Sequence, residues 1–127
     1  MQSTMLVFLG AGMGGALRHG VNMAAARLLG TAFPWGTFAI NVAGSLVMGL
    51  VAGWIAFREA EGWSQPIRLF LMTGILGGFT TFSAFSLDAA LLWERGEGGL
   101  ALAYVAGSVV LSIAGLALGL AAMRALS

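Results

Sequence analysis

Gly74-Ile75-Leu76-Gly77-Gly78-Phe79-Thr80-Thr81-Phe82-Ser83-Ala84-Phe85-Ser86 is the stretch that decides how this chain folds. It lies inside a long apolar segment of membrane-spanning character, yet it holds three glycines and four hydroxyl residues at mid-span. Glycine permits a turn at little steric cost. In hydrocarbon the backbone groups released by a turn must find partners, because no water is there to take them. Interrupted helices at membrane depth line ion or substrate sites, where carbonyls and helix ends do the binding. The stretch therefore predicts a helix broken over 77–81, with a site at the break. The competing reading is a small-residue face that lets two helices approach closely. Thr-Thr beside Gly-Gly exceeds what packing alone requires.

Composition fixes the surroundings of that stretch. The chain has 127 residues, 59% of them hydrophobic and 9% charged, with a mean hydropathy of +0.94. A soluble domain carries about 25% charged residues. Four apolar runs fit the length, each near the roughly 20 residues that span a bilayer. The expected fold is thus an all-α membrane protein: one domain, 1–127, of four transmembrane helices over about 4–28, 34–57, 67–93 and 100–123, the third broken at mid-membrane. A chain this short cannot enclose a wide pore alone, which predicts an oligomer. There is no cysteine, hence no disulfide or thiol chemistry. A net charge of only +1 argues against a nucleic-acid partner. The N-terminal run lacks the basic start of a signal peptide and reads as the first helix.

Outward from the break, each helix adds polar or small residues. In the first, Gly10, Gly12, Gly14 and Gly15 make a thin surface for close packing. Arg18 follows before the span is complete; it marks a functional position or snorkels to the near interface. His19 stands without a second His or any Cys, so it is a poor metal ligand. In the second helix, Pro34 suits the first turn and Trp35 the interface. Thr37, Asn41, Gly44, Ser45 and Met48 share a face. Asn41 either lines a pathway or makes an interhelical hydrogen bond. Arg58, Glu59, Glu61 and Gly62 end that span.

In the third helix Phe82 and Phe85 lie three apart, so their rings share a face; they are core aromatics or part of the site. Asp88, one turn on, is a lone acid that either meets a cation or proton or reaches interfacial water. In the fourth helix Tyr104, Ser108 and Ser112 recur every four residues as a polar stripe, which Gly115 and Gly119 continue. An even number of spans places Arg58, Arg68 and Arg124 on one side and Arg27 and Arg95, with Arg18 if it snorkels, on the other. This balance leaves the positive-inside rule undecided and predicts insertion in both orientations.

The third-helix motif, with Gly36-Thr37, Asn41 and Gly44 before it and Gly14-Gly15-Ala16-Leu17-Arg18 earlier still, resembles the Fluc (CrcB) family of fluoride channels over the whole chain. The resemblance implies a passive fluoride channel in the inner (plasma) membrane that relieves fluoride toxicity. It implies an antiparallel, dual-topology homodimer in the lipid bilayer with two pores at the subunit interface. It places Asn41, Phe82, Phe85, Tyr104, Ser108, Ser112 and Thr37 along the fluoride pathway, with Arg18 toward a vestibule. It also implies a structural sodium ion held by the main-chain carbonyls of Gly77 and Thr80 of both subunits. Two positions depart from the family pattern: Ala84 stands where Thr is usual, and Asp88 where Glu is common.

The physics agrees with that assignment. A dehydrated anion needs donors, which Asn, Tyr, Ser and Thr supply without a fixed charge that would trap it. Ring edges carry partial positive charge. An alternative is a small dual-topology, proton-coupled exporter, which needs a mid-membrane carboxylate; Asp88 is the only candidate. A third reading is a membrane scaffold without transport. An enzyme is not expected, since one His, no Cys and no clustered acids offer little chemistry.

Overall fold

The computed structural model describes residues 1–57 and 64–126, all of its regular structure helical. Helix α1 runs Gln2–Leu29 and α2 Trp35–Phe57. The third span begins as a short helix, α3 (Ser64–Ile67), and passes into a π-helical stretch, Arg68–Leu76. It ends its first half as α4 (Gly77–Phe79) and resumes as α5 (Phe82–Glu94). Helix α6, Gly98–Leu126, completes the chain. Arg58, Glu59, Glu61 and Gly62, expected to close the second span, lie outside the described residues.

Three of these segments are long and apolar enough to cross a membrane: Trp35–Phe57, Gln65–Glu94 and Gly98–Leu126, with hydropathies of 1.8, 1.5 and 2.1. Helix α1 is as long as the others, but its second half carries Arg18, His19, Asn22 and Arg27, which lower its apolar character. Large apolar side chains cover the outside, among them Phe8, Leu102, Val110, Ile113 and Leu118. Among the described residues the largest fully buried side chains are Ile40, Leu92 and Tyr104. This is the arrangement that hydrocarbon surroundings favour, because a lipid-facing Leu costs nothing there.

Two of the seams between the helices depend on missing side chains. On one, α1 lies against the π-helical stretch and α4. A Cβ at Gly14 would strike the carbonyl of Ile75, and one at Gly10 would lie 2.6 Å from the carbonyl of Phe70. From the other side, a Cβ at Gly78 would lie 2.5 Å from the carbonyl of Ala11. On the second seam α2 packs along α6. There Gly49 abuts the carbonyl of Leu116, and a Cβ at Gly119 would lie 2.6 Å from the carbonyl of Leu46. Backbone-to-backbone approach of this kind is how helices gain dispersion contact where lipid removes the hydrophobic drive.

Short links set the ends. Gly30 closes α1 with φ +80°, and Gly96 turns the chain from α5 into α6 with φ +78°, conformations that a Cβ would resist. The carbonyl of Pro34 accepts the first bond of α2, from Phe38 N at 3.1 Å, so Pro34 precedes the helix rather than opening its first turn. Arg95 donates to the carbonyl of Ala32 at 3.2 Å and ties the two links at this end of the molecule together.

Candidate functional site

The interruption in the third span is narrower than glycine spacing suggests. Gly77 and Gly78 remain helical, and only Thr80 (φ −77°, ψ 155°) and Thr81 (φ −150°, ψ 124°) are extended. The first half ends cleanly: Thr80 N–H and Thr80 Oγ1 both donate to the carbonyl of Leu76, each at 2.9 Å. The second half is capped by Thr81, whose Oγ1 accepts from Ala84 N–H at 3.2 Å. Hydroxyls thus replace the water that would serve these groups in a soluble protein.

Asn41 serves the remaining backbone groups. In a continuous helix the N–H of Thr81 would meet the carbonyl of Gly77. Here it donates to Asn41 Oδ1 at 2.8 Å, and Asn41 Nδ2 donates to the Thr81 carbonyl at 3.0 Å. The side-chain amide presents one acceptor and one donor, as a neighbouring strand would, and one Nδ2 proton is left over. Gly44, a turn further along α2, leaves room for the Thr80 methyl, which sits where a Cβ would be.

Beside this staple runs an open groove of about 410 Å³, walled by Asn41, Thr80, Phe82, Phe85, Ser108 and Ser112 with apolar residues between them. Every residue that lines it is uncharged. Phe82 and Phe85 have ring centroids 5.5 Å apart, yet they differ in setting: Phe82 is 78% exposed and Phe85 8%. Ser108 is buried against the groove, and its Oγ has no hydrogen-bond partner among the described residues. The groove combines hydroxyl and amide donors with aromatic edges, a combination suited to a small anion.

Over residues 5–120 the sequence matches the family described as CrcB-like protein, Camphor Resistance (CrcB). The chain belongs to the CrcB family. A relative from Rhodopseudomonas palustris (strain BisB5), "Fluoride-specific ion channel FluC", is 66% identical over 97% of this chain and 98% of its own length. "Fluoride-specific ion channel FluC 2" of Nitrobacter hamburgensis is 63% identical over the same shares. A Methylobacterium nodulans protein, also named "Fluoride-specific ion channel FluC", is 62% identical over 98% of both chains.

In this CrcB chain the residues singled out from sequence fall in different places. Asn41, Phe82, Phe85, Ser108 and Ser112 meet at the groove. Tyr104 does not line it. Its ring is wholly buried behind Phe85, centroids 5.2 Å apart, and its hydroxyl donates to Asp88 Oδ2 at 3.2 Å. Thr37, also buried, lines a second cavity of about 210 Å³ together with Asp88 and Asn22. Arg18 is partly buried on α1 and makes no hydrogen bond or ion pair with a described residue. Gly77 is exposed; a Cβ there would approach nothing closer than the Met72 carbonyl at 3.4 Å.

Spacing alone did not single out the main chain of Thr81. The signal was present, since a lone amide on α2 and a two-residue break both need partners, but only the fold pairs positions 40 apart. The carbonyl oxygens of the break are acceptors of the kind a hard cation takes. Diverting Thr81 N–H to Asn41 deprives the Gly77 carbonyl of its helical donor. Among the described residues no three His, Cys, Asp or Glu side chains gather, so neutral carbonyls are the oxygen ligands on offer, and these fit a hard monovalent ion better than calcium.

Proposed function

We propose that this protein is a passive, fluoride-specific ion channel that lets cells expel fluoride and so relieves its toxicity; it is not an enzyme. The relatives named above carry that activity in their names. The observation that carries the reading is the uncharged groove at the helix break. An anion stripped of water there meets the spare Nδ2 proton of Asn41, the unpartnered hydroxyl of Ser108, the hydroxyl of Ser112 and the edge of Phe82. Each is a neutral donor, strong enough to replace part of a hydration shell and weak enough to release the ion. Phe85 forms the rigid back wall, with Tyr104 and Thr37 behind it, and Arg18 draws anions toward a vestibule.

The groove is open along one side, so a conduction path needs a second wall. We assign that wall to a second copy, in an antiparallel, dual-topology homodimer with two pores, inserted in the inner (plasma) membrane. The near-even spread of arginines over the two sides supports insertion both ways. The carbonyls of Gly77 and Thr80 from both subunits would hold a structural sodium ion; when bound, it supplies a fixed positive charge beside the anion path.

Purified protein in liposomes loaded with fluoride should discharge it after potassium permeability is added, and should fail to discharge chloride. Equal efflux of both anions, or of neither, would overturn the reading. The exporter alternative needs a carboxylate on the path. Asp88 instead faces away from the groove, bonded to Tyr104, so efflux should not respond to an imposed proton gradient.

A further inference from the structure

Behind the groove a line of side chains runs from Phe82 to the end of the molecule. The Phe82 ring lies 5.5 Å from Phe85, Phe85 lies 5.2 Å from Tyr104, and Tyr104 meets Phe33 edge-on at 5.5 Å. Only one member of the line has a strong polar anchor. Tyr104 OH donates to Asp88 Oδ2 at 3.2 Å, and Tyr104 is 0% exposed. Asp88 and Phe85 stand on the same helix, three residues apart, and Tyr104 bridges them from α6. A ring held by a bond at its hydroxyl and by aromatic contacts on its flanks cannot swing away, and Phe85, pressed against it, cannot either.

We infer that Asp88 is a positioning residue for permeation: through its hydrogen bond to Tyr104 it locks the ring of Phe85 as the fixed wall of the groove, against which only Phe82 is free to turn. The inference rests on the channel reading. It assigns to Asp88 an acceptor's role rather than a charge's role. Asp88 lines the two smaller cavities of about 210 and 200 Å³ and not the groove, so its charge is set back from the anion path. The shorter acid suits the task, because an aspartate three residues from Phe85 stays close to the helix and keeps the phenol near.

The test is a set of variants in liposome fluoride efflux, with wild-type efflux as the check on the channel reading itself. Asp88→Asn retains an acceptor oxygen and should keep most of the flux. Asp88→Ala and Tyr104→Phe each break the bond and should lower flux about tenfold, the factor expected on losing a hydrogen bond to a charged group. The double variant should be no worse than either single one, since both remove the same interaction. All should elute as wild type does, which a merely structural role would not predict alongside lost flux. Wild-type flux in Tyr104→Phe would overturn the inference. So would a loss in Asp88→Asn equal to that in Asp88→Ala, faster flux in Asp88→Asn, or losses that multiply in the double variant. If Asp88→Ala fails to fold, Tyr104→Phe beside Asp88→Asn decides: reduced flux in the first with retained flux in the second supports it, and any other pairing overturns it.

Discussion

The two halves of the broken span are held by opposite means. The first, Arg68–Leu76 with Gly77–Phe79, is gripped by backbone: α1 lies on it so closely that no Cβ fits at Gly10, Gly14 or Gly78. The second, Phe82–Glu94, is gripped by side chains: Phe85 and Leu92 pack with Tyr104 and Ala101 of α6. A backbone seam tolerates almost no change of volume, because the opposing atoms cannot rotate away. A side-chain seam can repack. The difference places rigidity before the break and adjustability after it, with Asn41 joining both to α2.

The severest way to break this contrast is Gly14→Val. Its branched side chain would enter the Ile75 carbonyl, and we expect a loss on the order of 3 kcal/mol or more, read as failure to obtain a single folded species by size exclusion in detergent. A variant that melts like the wild type would show that the first half is not backbone-packed. Next comes Asn41→Asp. It keeps an acceptor for Thr81 N–H but sets a second oxygen against the Thr81 carbonyl and puts a negative charge on the groove. Fluoride efflux should fall by about a hundredfold or more while the protein still elutes normally. Wild-type efflux would separate the staple from conduction.

A paired measurement sharpens the picture. Gly78→Ala would press a methyl to 2.5 Å from the Ala11 carbonyl, whereas Gly77→Ala would meet nothing nearer than 3.4 Å. The first should cost about 1–3 kcal/mol in thermal melting and the second much less. Lost flux in Gly77→Ala with an unchanged melting curve would locate its contribution outside the single protomer. The smallest effect belongs to Thr80→Ala. It removes the hydroxyl bond to Leu76 but keeps the N–H bond to the same carbonyl and the Thr80 carbonyl itself. A cost of about 1 kcal/mol and flux within about threefold of wild type are expected; a larger loss would mean that the hydroxyl, not the main chain, carries the site.

Much of this was legible in the residues. Gly-Gly followed by Thr-Thr announced an interrupted helix, because hydroxyls beside weak helix formers supply the partners that hydrocarbon withholds. The break nevertheless falls on the threonines: Gly77 and Gly78 are both helical, and only Gly78 lends its surface to α1. The glycines of α1 do not form one thin surface: Gly10 and Gly14 share the seam while Gly12 and Gly15 face open space. By spacing alone Tyr104, Ser108 and Ser112 form one track. Four residues turn about 400°, so each step drifts roughly 40° around the helix. By Tyr104 the face has rotated behind Phe85, toward Asp88. Pairing across 40 residues, as between Asn41 and Thr81, has no local signature.

The extended link at Thr80 and Thr81 has an electrical consequence. A helix cut in two exposes a negative end and a positive end at the same depth, each equivalent to roughly half an elementary charge. These poles belong to peptide groups, which do not titrate, and the groove wall adds only Asn, Ser, Thr, Met, Phe and aliphatic residues. The walls that face the ion therefore keep one sign pattern from acid to alkaline solution. The residues that line the groove thus have no proton to give or take, and whatever acidity does to transport must act on the permeant species or on groups set back from that lining.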